Sequence, residues 1–533
     1  MSLSTIAAAS GEDVCPFDIS TAHKSVFRAF AAARISFGGK RVCIFDVDDS
    51  PRTYDDIMRG ALALGHALKS GTKRGECVGV MLPTGAGAIA TFMALSAYGR
   101  VPAMLNFTAG AAAIKSAIKT ARVRRIATAH RLIDNAGLQP LIDDLARTTE
   151  IVYLEDIRDN LSIFDKAAAA VGQFLPHLVS SNPSPDAPAV ILFTSGTEGE
   201  PKGVALSHRN LLANVEQVRV HLELYPSDIL LNPLPAFHCF GLTVGSLMPP
   251  LLGLQVVCHP TPLQPKEIVQ RIKKHAATIL VSTDTFITQY ARVGEPGDLS
   301  SLRLTVCGAE RLRDETRALL RRKHGIELLE GYGVTEASPV IAANRPGANR
   351  PGTVGQLLAG MEFRLDPVEG IPNAGRLVVK GPNVMLGYLK PGAPGKIVPP
   401  EGGWHDTGDV VSVDDEGFIA IKGRLKRFAK IGGESVSLAV VESCASALWP
   451  DFSHAAVTVP DGRKGEQIVL VTSNRDATRH DIVGWAHNHG VSELAIPRRI
   501  VFVDDIPVLG TGKTDYVRVE KMVADATPAA AAG

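Results

Sequence analysis

Helical and strand patterns alternate along the chain up to about residue 325, and this alternation limits the folds that it can adopt. The spacing of Ile57, Ala61 and Leu64 is typical of a helix over residues 53–68, and a short buried strand pattern follows at 77–81. The alternation returns with helix patterns at 211–224, 265–275 and 314–323 and strand patterns at 229–231, 278–282 and 303–307. Strands separated by helices favour parallel sheets with helices on their faces. The sequence therefore predicts an α/β fold.

The pattern changes after about residue 350, where short strands and turns replace the helices. A last segment, with a helix pattern at 438–448 and strand patterns at 455–459 and 467–472, is typical of a small α+β domain. We therefore expect a large N-terminal domain at 1–424 and a small C-terminal domain at 425–533. The alanine-rich tail from about residue 524 is predicted to be disordered.

The composition is that of a globular enzyme without a polyanionic partner. The 533 residues are too many for one core. Lys and Arg total 56 against 55 Asp and Glu, so the net charge of +1 gives no reason to expect nucleic acid as a partner. The seven cysteines form no CxxC pair, which indicates a reducing compartment, the cytoplasm, without a disulfide framework or zinc site.

One uncharged segment, residues 239–258, is long enough to raise the question of a membrane span. Pro249 and Pro250 interrupt it, and glycines surround them. In lipid the freed backbone groups would have no partners, so a buried helix, a turn and a strand are the favoured interpretation. No transmembrane segment is expected, and the N-terminus lacks the pattern of a secretory signal.

The run ILFTSGTEGEPKGVALSHRN, residues 191–210, contains the strongest functional signal. An apolar stretch leads into a loop dense in Thr, Ser and Gly, which ends at Lys202, and a helix is predicted from Ser207. Inward-turned backbone N–H groups, hydroxyls and a lysine together form a phosphate grip. It is not a Walker A loop, because no Gly-Lys-Ser/Thr closes it. An ordinary turn would explain the glycines but not the hydroxyls and the lysine together.

Four further motifs carry groups that could serve a nucleotide. Residues 307–310, CGAE, are small enough to let a flat ring lie on them. Residues 330–336, EGYGVTE, offer an aromatic face at Tyr332, a hydroxyl at Thr335 and a carboxylate, Glu336, that suits magnesium. Asp409 could accept both hydroxyls of a ribose, and Arg424 supplies a cation. Each motif alone is more often a turn or a surface pair, so their value lies in their joint occurrence.

Residues 510–514, GTGKT, imitate the end of a P-loop, but Pro507 stands where the earlier glycine is required. What remains is Lys513 on a glycine loop, which could bring a positive charge to a reacting phosphate and withdraw again. Without the other motifs, an exposed lysine in a turn would be the better interpretation.

The ordered set TSGTEGEPKG, FHCFGL, CGAE, GYGVTE, TGD, GRLKRFAKIGGE and GTGK resembles the adenylate-forming superfamily of acyl and aryl ligases. Runs such as KGPNVMLGYL (380–389) and SHRNLLANVEQ (207–217) resemble, more narrowly, the ligase half of the bifunctional acyl-acyl-carrier-protein synthetase/2-acylglycerophosphoethanolamine acyltransferase family. The resemblance implies stacked α/β subdomains plus a β-rich subdomain, with a small mobile C-terminal domain. It also implies that ATP activates a long-chain fatty acid to acyl-AMP, and that the acyl group passes to the phosphopantetheine thiol of acyl carrier protein.

The resemblance also implies residue roles. ATP and Mg²⁺ would be the cofactors, and Lys426 would be the hinge of the small domain, whose rotation removes Lys513 and brings up segment 431–438. The implied contacts are Thr194, Ser195, Gly196, Thr197 and Lys202 to pyrophosphate; Thr197 and Glu336 to magnesium; Gly308, Ala309, Glu310, Tyr332 and Gly333 to adenine; Asp409 and Arg424 to ribose; Thr335 to the α-phosphate; and His238, Phe240 and Gly241 to the acyl group.

The chain departs from that bifunctional family in one respect. None of its 15 histidines has Asp five positions on, so the acyltransferase motif His-x4-Asp does not occur, and we expect no acyltransferase domain. A separate lysophospholipid acyltransferase is an open partner. Two alternatives to carrier-protein ligation also stay open: a fatty acyl-CoA ligase, and a non-catalytic lipid- or nucleotide-binding homologue. A lipidic substrate leaves room for peripheral contact with the inner membrane.

Overall fold

The computed structural model describes residues 17–194, 201–369, 371, 373–431, 434–461, 465–489, 491–508 and 514–526. By internal contacts the chain divides into two compact units. Of the described residues, the large unit comprises 17–362 and Lys380–His405, and the small unit comprises Phe363–Val379 and the residues from Asp406 onward.

The described strands follow one another in chain order. They are β1 (Val42–Phe45), β2 (Pro51–Thr53), β3 (Cys77–Val80), β4 (Val101–Met104), β5 (Arg125–Thr128), β6 (Glu150–Tyr153), β7 (Pro188–Thr194), β8 (Lys202–Ser207), β9 (Ile229–Asn232), β10 (Gln255–Cys258), β11 (Ile279–Ser282), β12 (Leu304–Cys307), β13 (Leu328–Gly333), β14 (Val340–Ala343), β15 (Gln356–Leu357), β16 (Glu362–Pro367), β17 (Gly375–Lys380), β18 (Gly387–Leu389), β19 (Ile397–Val398), β20 (His405–Val413), β21 (Ile419–Arg424), β22 (Phe428–Ile431), β23 (Glu434–Ser437), β24 (His454–Asp461), β25 (Gly465–Thr472) and β26 (Arg499–Phe502).

The described α-helices alternate with these strands through the large unit. They are α1 (Val26–Phe37), α2 (Tyr54–Leu68), α3 (Ala86–Ala97), α4 (Ala111–Thr120), α5 (His130–Ala136), α6 (Gln139–Leu145), α7 (Leu154–Asp159), α8 (Ile163–Phe174), α9 (Pro176–Val179), α10 (His208–Leu222), α11 (Met248–Leu252), α12 (Pro265–His275), α13 (Asp284–Val293), α14 (Asp314–His324), α15 (Leu438–Leu448), α16 (Arg479–Asn488) and α17 (Tyr516–Asp525).

Two sheets form the framework of the large unit. The nine-stranded sheet has the order β15-β14-β13-β12-β11-β9-β10-β1-β2, and its strands from β13 to β1 are parallel. The eight-stranded sheet has the order β19-β18-β8-β7-β4-β3-β5-β6, with β7, β4, β3, β5 and β6 parallel. Helices α12, α13 and α14 pack on the first sheet, and α4, α5 and α6 on the second, through buried apolar clusters. The predicted α/β fold is therefore confirmed.

The small unit contains two further sheets. One has four strands in the order β16-β17-β20-β21, and the other joins β23-β22-β25-β24 with β26 paired to β25. Helix α15 matches the predicted pattern at 438–448, and its apolar side chains pack with β24 and β25. Helix α17 continues to Asp525, and residues 527–533 lie outside the described residues.

Local sequence explains where several helices begin. Thr53 caps α2 through a capping box with Asp56, and Ser207 caps α10 in the same way with Asn210. The sequence did not predict β8, which lies between the phosphate loop and α10. Its residues Val204, Ala205 and Leu206 are fully buried between neighbouring strands, so tertiary pairing converts an expected loop exit into a strand.

The uncharged segment 239–258 is buried as predicted. It forms a π-helix at Phe240–Leu247, then α11, a left-handed turn at Gly253 and strand β10. Among the described residues, no helix is long and apolar enough to cross a membrane.

Candidate active site

Three of the motifs lie at the same edge of the nine-stranded sheet. Because β9, β11, β12 and β13 are parallel, their carboxyl ends meet at one edge, which is where open α/β sheets bind ligands. The segment with His238, Phe240 and Gly241 follows β9. Residues 308–310 follow β12, and Tyr332 and Gly333 end β13.

Gly308 is enclosed by two other motifs. A Cβ at this position would lie 3.3 Å from Cε1 of Phe240 and 3.5 Å from the carbonyl oxygen of Gly331. The next residue, Ala309, has a φ of +68°, a left-handed conformation that non-glycine residues seldom adopt. The backbone therefore turns sharply beside the Phe240 ring, and the missing Cβ leaves a narrow space that suits a flat ligand.

Glu310 is tied to the start of a neighbouring helix. Its Oε2 accepts a hydrogen bond of 2.9 Å from the backbone N–H of Thr285, in the first turn of α13. Its Oε1 is buried and has no hydrogen-bond partner among the described residues. Buried carboxylate oxygens normally accept a hydrogen bond, so this oxygen is available to a donor on a bound ligand. The exocyclic amine of an adenine is such a donor. The residues of this edge thus fit a nucleotide base.

Gly241 is required by close packing. A Cβ there would lie 2.2 Å from the carbonyl oxygen of Pro235, so no larger residue fits without movement. His238 is half-buried and meets the ring of Phe237 edge-on at 4.7 Å, and Phe237 in turn meets Phe107 at 5.1 Å. The segment after β9 therefore presents an aromatic, mostly apolar surface.

Glu336 is joined to the phosphate hairpin through a residue that the sequence motifs did not include. The hydroxyl of Tyr388, on β18, donates a hydrogen bond of 2.6 Å to Oε1 of Glu336. The Nζ of Lys202 lies 5.9 Å from the centre of the Tyr388 ring. β18 pairs with β8, with Tyr388 opposite Val204. The structure thus brings the predicted metal-binding carboxylate and the predicted phosphate-binding lysine to one aromatic ring.

A buried polar network holds the turn that carries Glu336. The amide of Asn383 donates to the carbonyl oxygen of Ala337 at 2.8 Å, and Asn214 bonds both backbone groups of Val340. The backbone N–H of Met385 donates to the carbonyl oxygen of Glu336 itself at 2.8 Å. Asn214 and Asn383 are fully buried, so their amides are available for this fixed set of partners. Residues that support the site thus come from segments 207–217 and 380–389, where the sequence showed only a resemblance.

Strands β7 and β8 pair on either side of residues 195–200, the predicted phosphate loop. Thr194 ends β7 opposite Lys202, which begins β8. The predicted contacts Ser195, Gly196 and Thr197 lie outside the described residues. A strand-loop-strand hairpin therefore replaces the strand-loop-helix geometry of a P-loop.

Glu336 is the carboxylate that the sequence predicted as a magnesium ligand. Among the described residues, no cluster of three or more His, Cys, Asp or Glu side chains could hold a metal ion. Magnesium usually binds one or two protein carboxylates plus substrate phosphates, and the positioned carboxylate of Glu336 fits that pattern.

A second carboxyl group lies buried below this edge. Glu330 lies on β13, opposite Cys307 of the neighbouring strand β12. Its Oε1 accepts a hydrogen bond of 3.4 Å from the backbone N–H of Leu312. Arg317 lies 3.6 Å from Oε2 and favours the charged form. Burial outweighs that attraction and raises the pKa of Glu330 to about 7. The carboxyl group therefore holds its proton to a higher pH than an ordinary glutamate does.

In the small unit, Asp409 and Arg424 face each other across β20 and β21. The Nε of Arg424 donates to Oδ1 of Asp409 at 3.0 Å. Asp409 is buried, whereas 61% of the Arg424 side chain is exposed. The hydroxyl of Thr407 accepts from the backbone N–H of Asp409 and donates to the carbonyl oxygen of Leu377, which fixes the turn. The two predicted ribose ligands are thus one cross-strand pair.

Lys426 lies at the junction between the two sheets of the small unit. It is exposed in a single 3₁₀ turn, Leu425–Arg427, that joins β21 to β22. Lys513 lies outside the described residues, as do Gly432 and Gly433 of the segment 431–438 that the rotation would bring up. The described part of that segment, β23, contacts the neighbouring sheet where Ser437 donates to the carbonyl oxygen of Lys422 at 2.9 Å.

Comparison with known families decides the assignment. The family described as "AMP-binding enzyme" matches residues 31–389, about two thirds of the chain. The chain belongs to the AMP-binding enzyme family. The matched range includes the phosphate hairpin, the edge of the nine-stranded sheet and Tyr388.

Curated relatives of this AMP-binding enzyme are named as CoA ligases. The long-chain-fatty-acid–CoA ligase of Salmonella typhimurium is 31% identical over 338 residues, 61% of this chain and 60% of that protein. The medium-chain fatty-acid–CoA ligase of Escherichia coli is 30% identical over 62% of this chain and 61% of its own length. The probable 4-coumarate–CoA ligase 3 of Dictyostelium discoideum is 28% identical over 86% of this chain and 87% of its own length. The match therefore spans about three fifths of the first two relatives.

Solved structures share the fold of this AMP-binding enzyme. ATP-bound MatB from Rhodopseudomonas palustris superposes with a TM-score of 0.81 at 24% identity, over 94% of this chain and 99% of that one. The o-succinylbenzoate CoA synthetase MenE from Bacillus subtilis superposes with a TM-score of 0.79 at 19% identity, over 92% of this chain and 98% of that one. These likenesses establish the mixed α/β architecture with a large N-terminal and a small C-terminal domain.

Proposed function

We propose that this AMP-binding enzyme activates a fatty acid with ATP to acyl-AMP and then forms a thioester with coenzyme A. The observation that carries the proposal is the arrangement of Lys202, Tyr388 and Glu336, which aligns a cation and a hydrogen-bonded carboxylate beside the phosphate hairpin. The relatives named as fatty-acid–CoA ligases support the substrate class and the acceptor.

The proposed reaction requires positive charge at the phosphates, which these groups supply. A carboxylate is a poor electrophile, and attachment to AMP gives it a good leaving group. Two anions must meet for that step, so positive charge must be fixed at the phosphates in advance. Lys202, and Lys513 from the small unit, would supply it. Mg²⁺, when bound, would neutralise phosphate charge, with Glu336 and Thr197 as its protein ligands.

The remaining residues would bind and orient the two substrates. The edge of the nine-stranded sheet would hold the adenine, with Glu310 accepting from the base and Gly308 leaving space for it. Asp409 would accept from the ribose hydroxyls while Arg424 holds its carboxylate. Thr335 would meet the α-phosphate, and the aromatic segment around His238 and Phe240 would border the acyl chain. The other proposed contacts are Thr194, Ser195 and Gly196 for pyrophosphate, Ala309, Tyr332 and Gly333 for adenine, and Gly241 for the acyl group.

Domain rotation about Lys426 belongs to the same proposal. The predicted boundary between residues 424 and 425 lies within the small unit, at the 3₁₀ turn between β21 and β22, and this short connection could absorb a hinge motion. Rotation would exchange Lys513 for the β23 segment at the reaction centre. Lys513→Ala should then impair acyl-AMP formation far more than thioester formation from supplied acyl-AMP.

Acyl carrier protein is the second candidate acceptor. The resemblance of the sequence to acyl-acyl-carrier-protein synthetases implied it. Basic residues such as Arg427 and Arg498 do not separate the two acceptors, because they suit an acidic carrier protein and the phosphates of coenzyme A equally. In the structure Arg427 pairs with Glu442 at 2.7 Å, and Arg498 pairs with Asp461 at 3.0 Å. The names of the relatives favour coenzyme A.

The acceptor can be tested directly. The purified chain is incubated with ATP, Mg²⁺, palmitate and either coenzyme A or holo-acyl carrier protein, and the thioester is quantified by mass spectrometry. Thioester on coenzyme A supports the proposal. Thioester on the carrier protein alone would establish the second candidate, and acyl-AMP without transfer to either would contradict both. Absence of acyl-AMP would indicate a non-catalytic homologue.

A further inference from the structure

The helical hairpin of α8 and α9 leaves large apolar side chains in solvent. Ile163, Phe164, Phe174 and Leu178, here called the apolar face, expose between 64% and 77% of their surface. The opposite side of α8 is packed against α2, where Gly172 meets Leu62. Single exposed apolar residues are common in proteins, but four of this size on one short hairpin mark an interaction site.

A concentration of positive charge lies at the amino ends of the eight-stranded sheet. Lys73 and Arg74 precede β3, and Arg147 precedes β6. Since β3, β4, β5 and β6 are parallel, their amino ends share one edge. The exposed cations of this basic edge are Lys73, Arg74, Lys119, Arg122, Arg124 and Arg147.

Few acidic groups offset this charge. Glu76 pairs with Arg124 at 2.8 Å. Asp144 and Glu150 pair with two further cations of the same region, Lys115 and Arg125. The basic edge therefore keeps an excess of positive charge at the opposite end of the strands from the phosphate hairpin.

Two connections make the apolar face and the basic edge neighbours. Asp165, next to Phe164, bonds Nδ1 of His66 at 2.6 Å, which places the start of α8 beside the end of α2. Beyond α9, the backbone N–H of Ser181 donates to the carbonyl oxygen of Ala97 at 2.7 Å. Ser181 and Arg74 both lie within 4 Å of the position that a Cβ would take at Gly99.

We infer that this combined surface docks the protein onto an anionic lipid bilayer. Exposed aromatic and aliphatic side chains can enter the boundary between headgroups and acyl chains, while lysines and arginines contact anionic headgroups. Either contribution alone gives weak attachment, and the two together give stable peripheral binding. The docked protein would keep the carboxyl edge of its sheets, with the candidate active site, directed away from the headgroups.

Other occupants fit this surface less well. A second copy of the chain, bound in the usual two-fold manner, would bring one basic edge against another. A carrier protein would have to present its thiol at the carboxyl edge of the sheets, and this surface lies at the amino edge. A bilayer has neither difficulty, because its charge is complementary and it delivers no reacting group.

The test is vesicle co-flotation of the full chain. Vesicles of phosphatidylcholine, alone or mixed with phosphatidylglycerol, are compared at low and high ionic strength. We expect binding to the mixed vesicles that weakens with salt, and little binding to phosphatidylcholine alone. Lys73→Glu/Arg74→Glu should weaken binding at least about tenfold, since each cation near an anionic leaflet contributes about a fivefold effect. Phe164→Ser/Phe174→Ser should weaken it by a similar factor.

Matched variants separate docking from general charge and hydrophobicity. Arg321→Glu/Arg322→Glu on α14 and Val517→Ser on α17 also alter exposed residues, and they should bind vesicles like the unmodified chain. All variants should keep the unmodified melting temperature and ATP–pyrophosphate exchange. Failure of the unmodified chain to bind mixed vesicles would overturn the inference, as would equal loss in the matched variants. A dimer that Phe164→Ser/Phe174→Ser dissociates, without vesicle binding, would instead identify a contact between copies.

Discussion

The hydroxyl of Tyr388 lies 2.6 Å from the carboxylate of Glu336, although 52 residues separate them in the sequence. The hydrogen bond orients the carboxylate and fixes one of its oxygens, so the other oxygen is the better candidate for a metal ligand. Tyr388 is therefore a positioning residue of the candidate site.

Tyr388→Phe should lower the rate of acyl-AMP formation about tenfold, because a hydrogen bond to a charged group contributes roughly 1.5–3 kcal/mol. The Mg²⁺ concentration for half-maximal rate should rise, since the carboxylate loses its fixed orientation. Pyrophosphate release measured over a Mg²⁺ series checks both effects. Tyr225→Phe, at a half-exposed tyrosine of the same unit, is the control. An unchanged Mg²⁺ dependence in Tyr388→Phe would contradict this role.

Lys202→Gln should reduce kcat/KM for ATP by about a hundredfold, the usual effect of removing one electrostatic contact in an active site. Lys380→Gln is a matched control, since its Nζ lies 5.7 Å from the ring of Trp404 in a similar cation–π contact. Only the first variant should affect ATP use. Equal losses in both would mean that packing against the ring, and not phosphate binding, explains the effect.

Asp409→Asn and Arg424→Gln should each raise KM for ATP at least about tenfold, while the double variant should lose less than the product of the two. The Arg424 side chain is mostly exposed, so the pair should contribute under about 1 kcal/mol to folding stability. Initial rates and chemical denaturation give the two quantities. A large loss of stability with an unchanged KM would assign the pair to folding instead.

Glu330→Gln should make stability less dependent on pH. Burial raises the pKa of Glu330 to about 7 in the folded protein, well above the ordinary value of a glutamate. Between those two pKa values the folded state binds the proton more tightly, so the unmodified chain loses stability as pH rises through this window. The variant, neutral at every pH, should therefore gain melting temperature relative to the unmodified chain at pH 8 and not at pH 4. A constant difference across the range would show that Glu330 does not titrate in this way.

The sequence predicted elements whose signals are local. Helix α12 was predicted at both ends, because Pro265 begins it and a cationic last turn closes it at His275. The strand pattern at 303–307 likewise placed the motif at Gly308 directly after a strand, because the apolar run there gives way to small residues. The fold class followed from the alternation of such signals.

What the sequence could not supply depends on contacts between distant segments. Strand β8 forms because β7 and β18 are available on both sides, and Tyr388 matters because β18 pairs beside Lys202. The apolar residues of α8 follow an ordinary core pattern, and only packing reveals that Phe164 faces solvent. Ser195 and Lys513 remain predictions, since they lie outside the described residues.

The most direct test of the central claim is ATP–pyrophosphate exchange by the full chain across a series of fatty acids of increasing length. We predict exchange that requires both a fatty acid and Mg²⁺, and that Glu336→Gln strongly reduces. Exchange independent of any acid, or none with any chain length, would contradict fatty-acid activation by this AMP-binding enzyme.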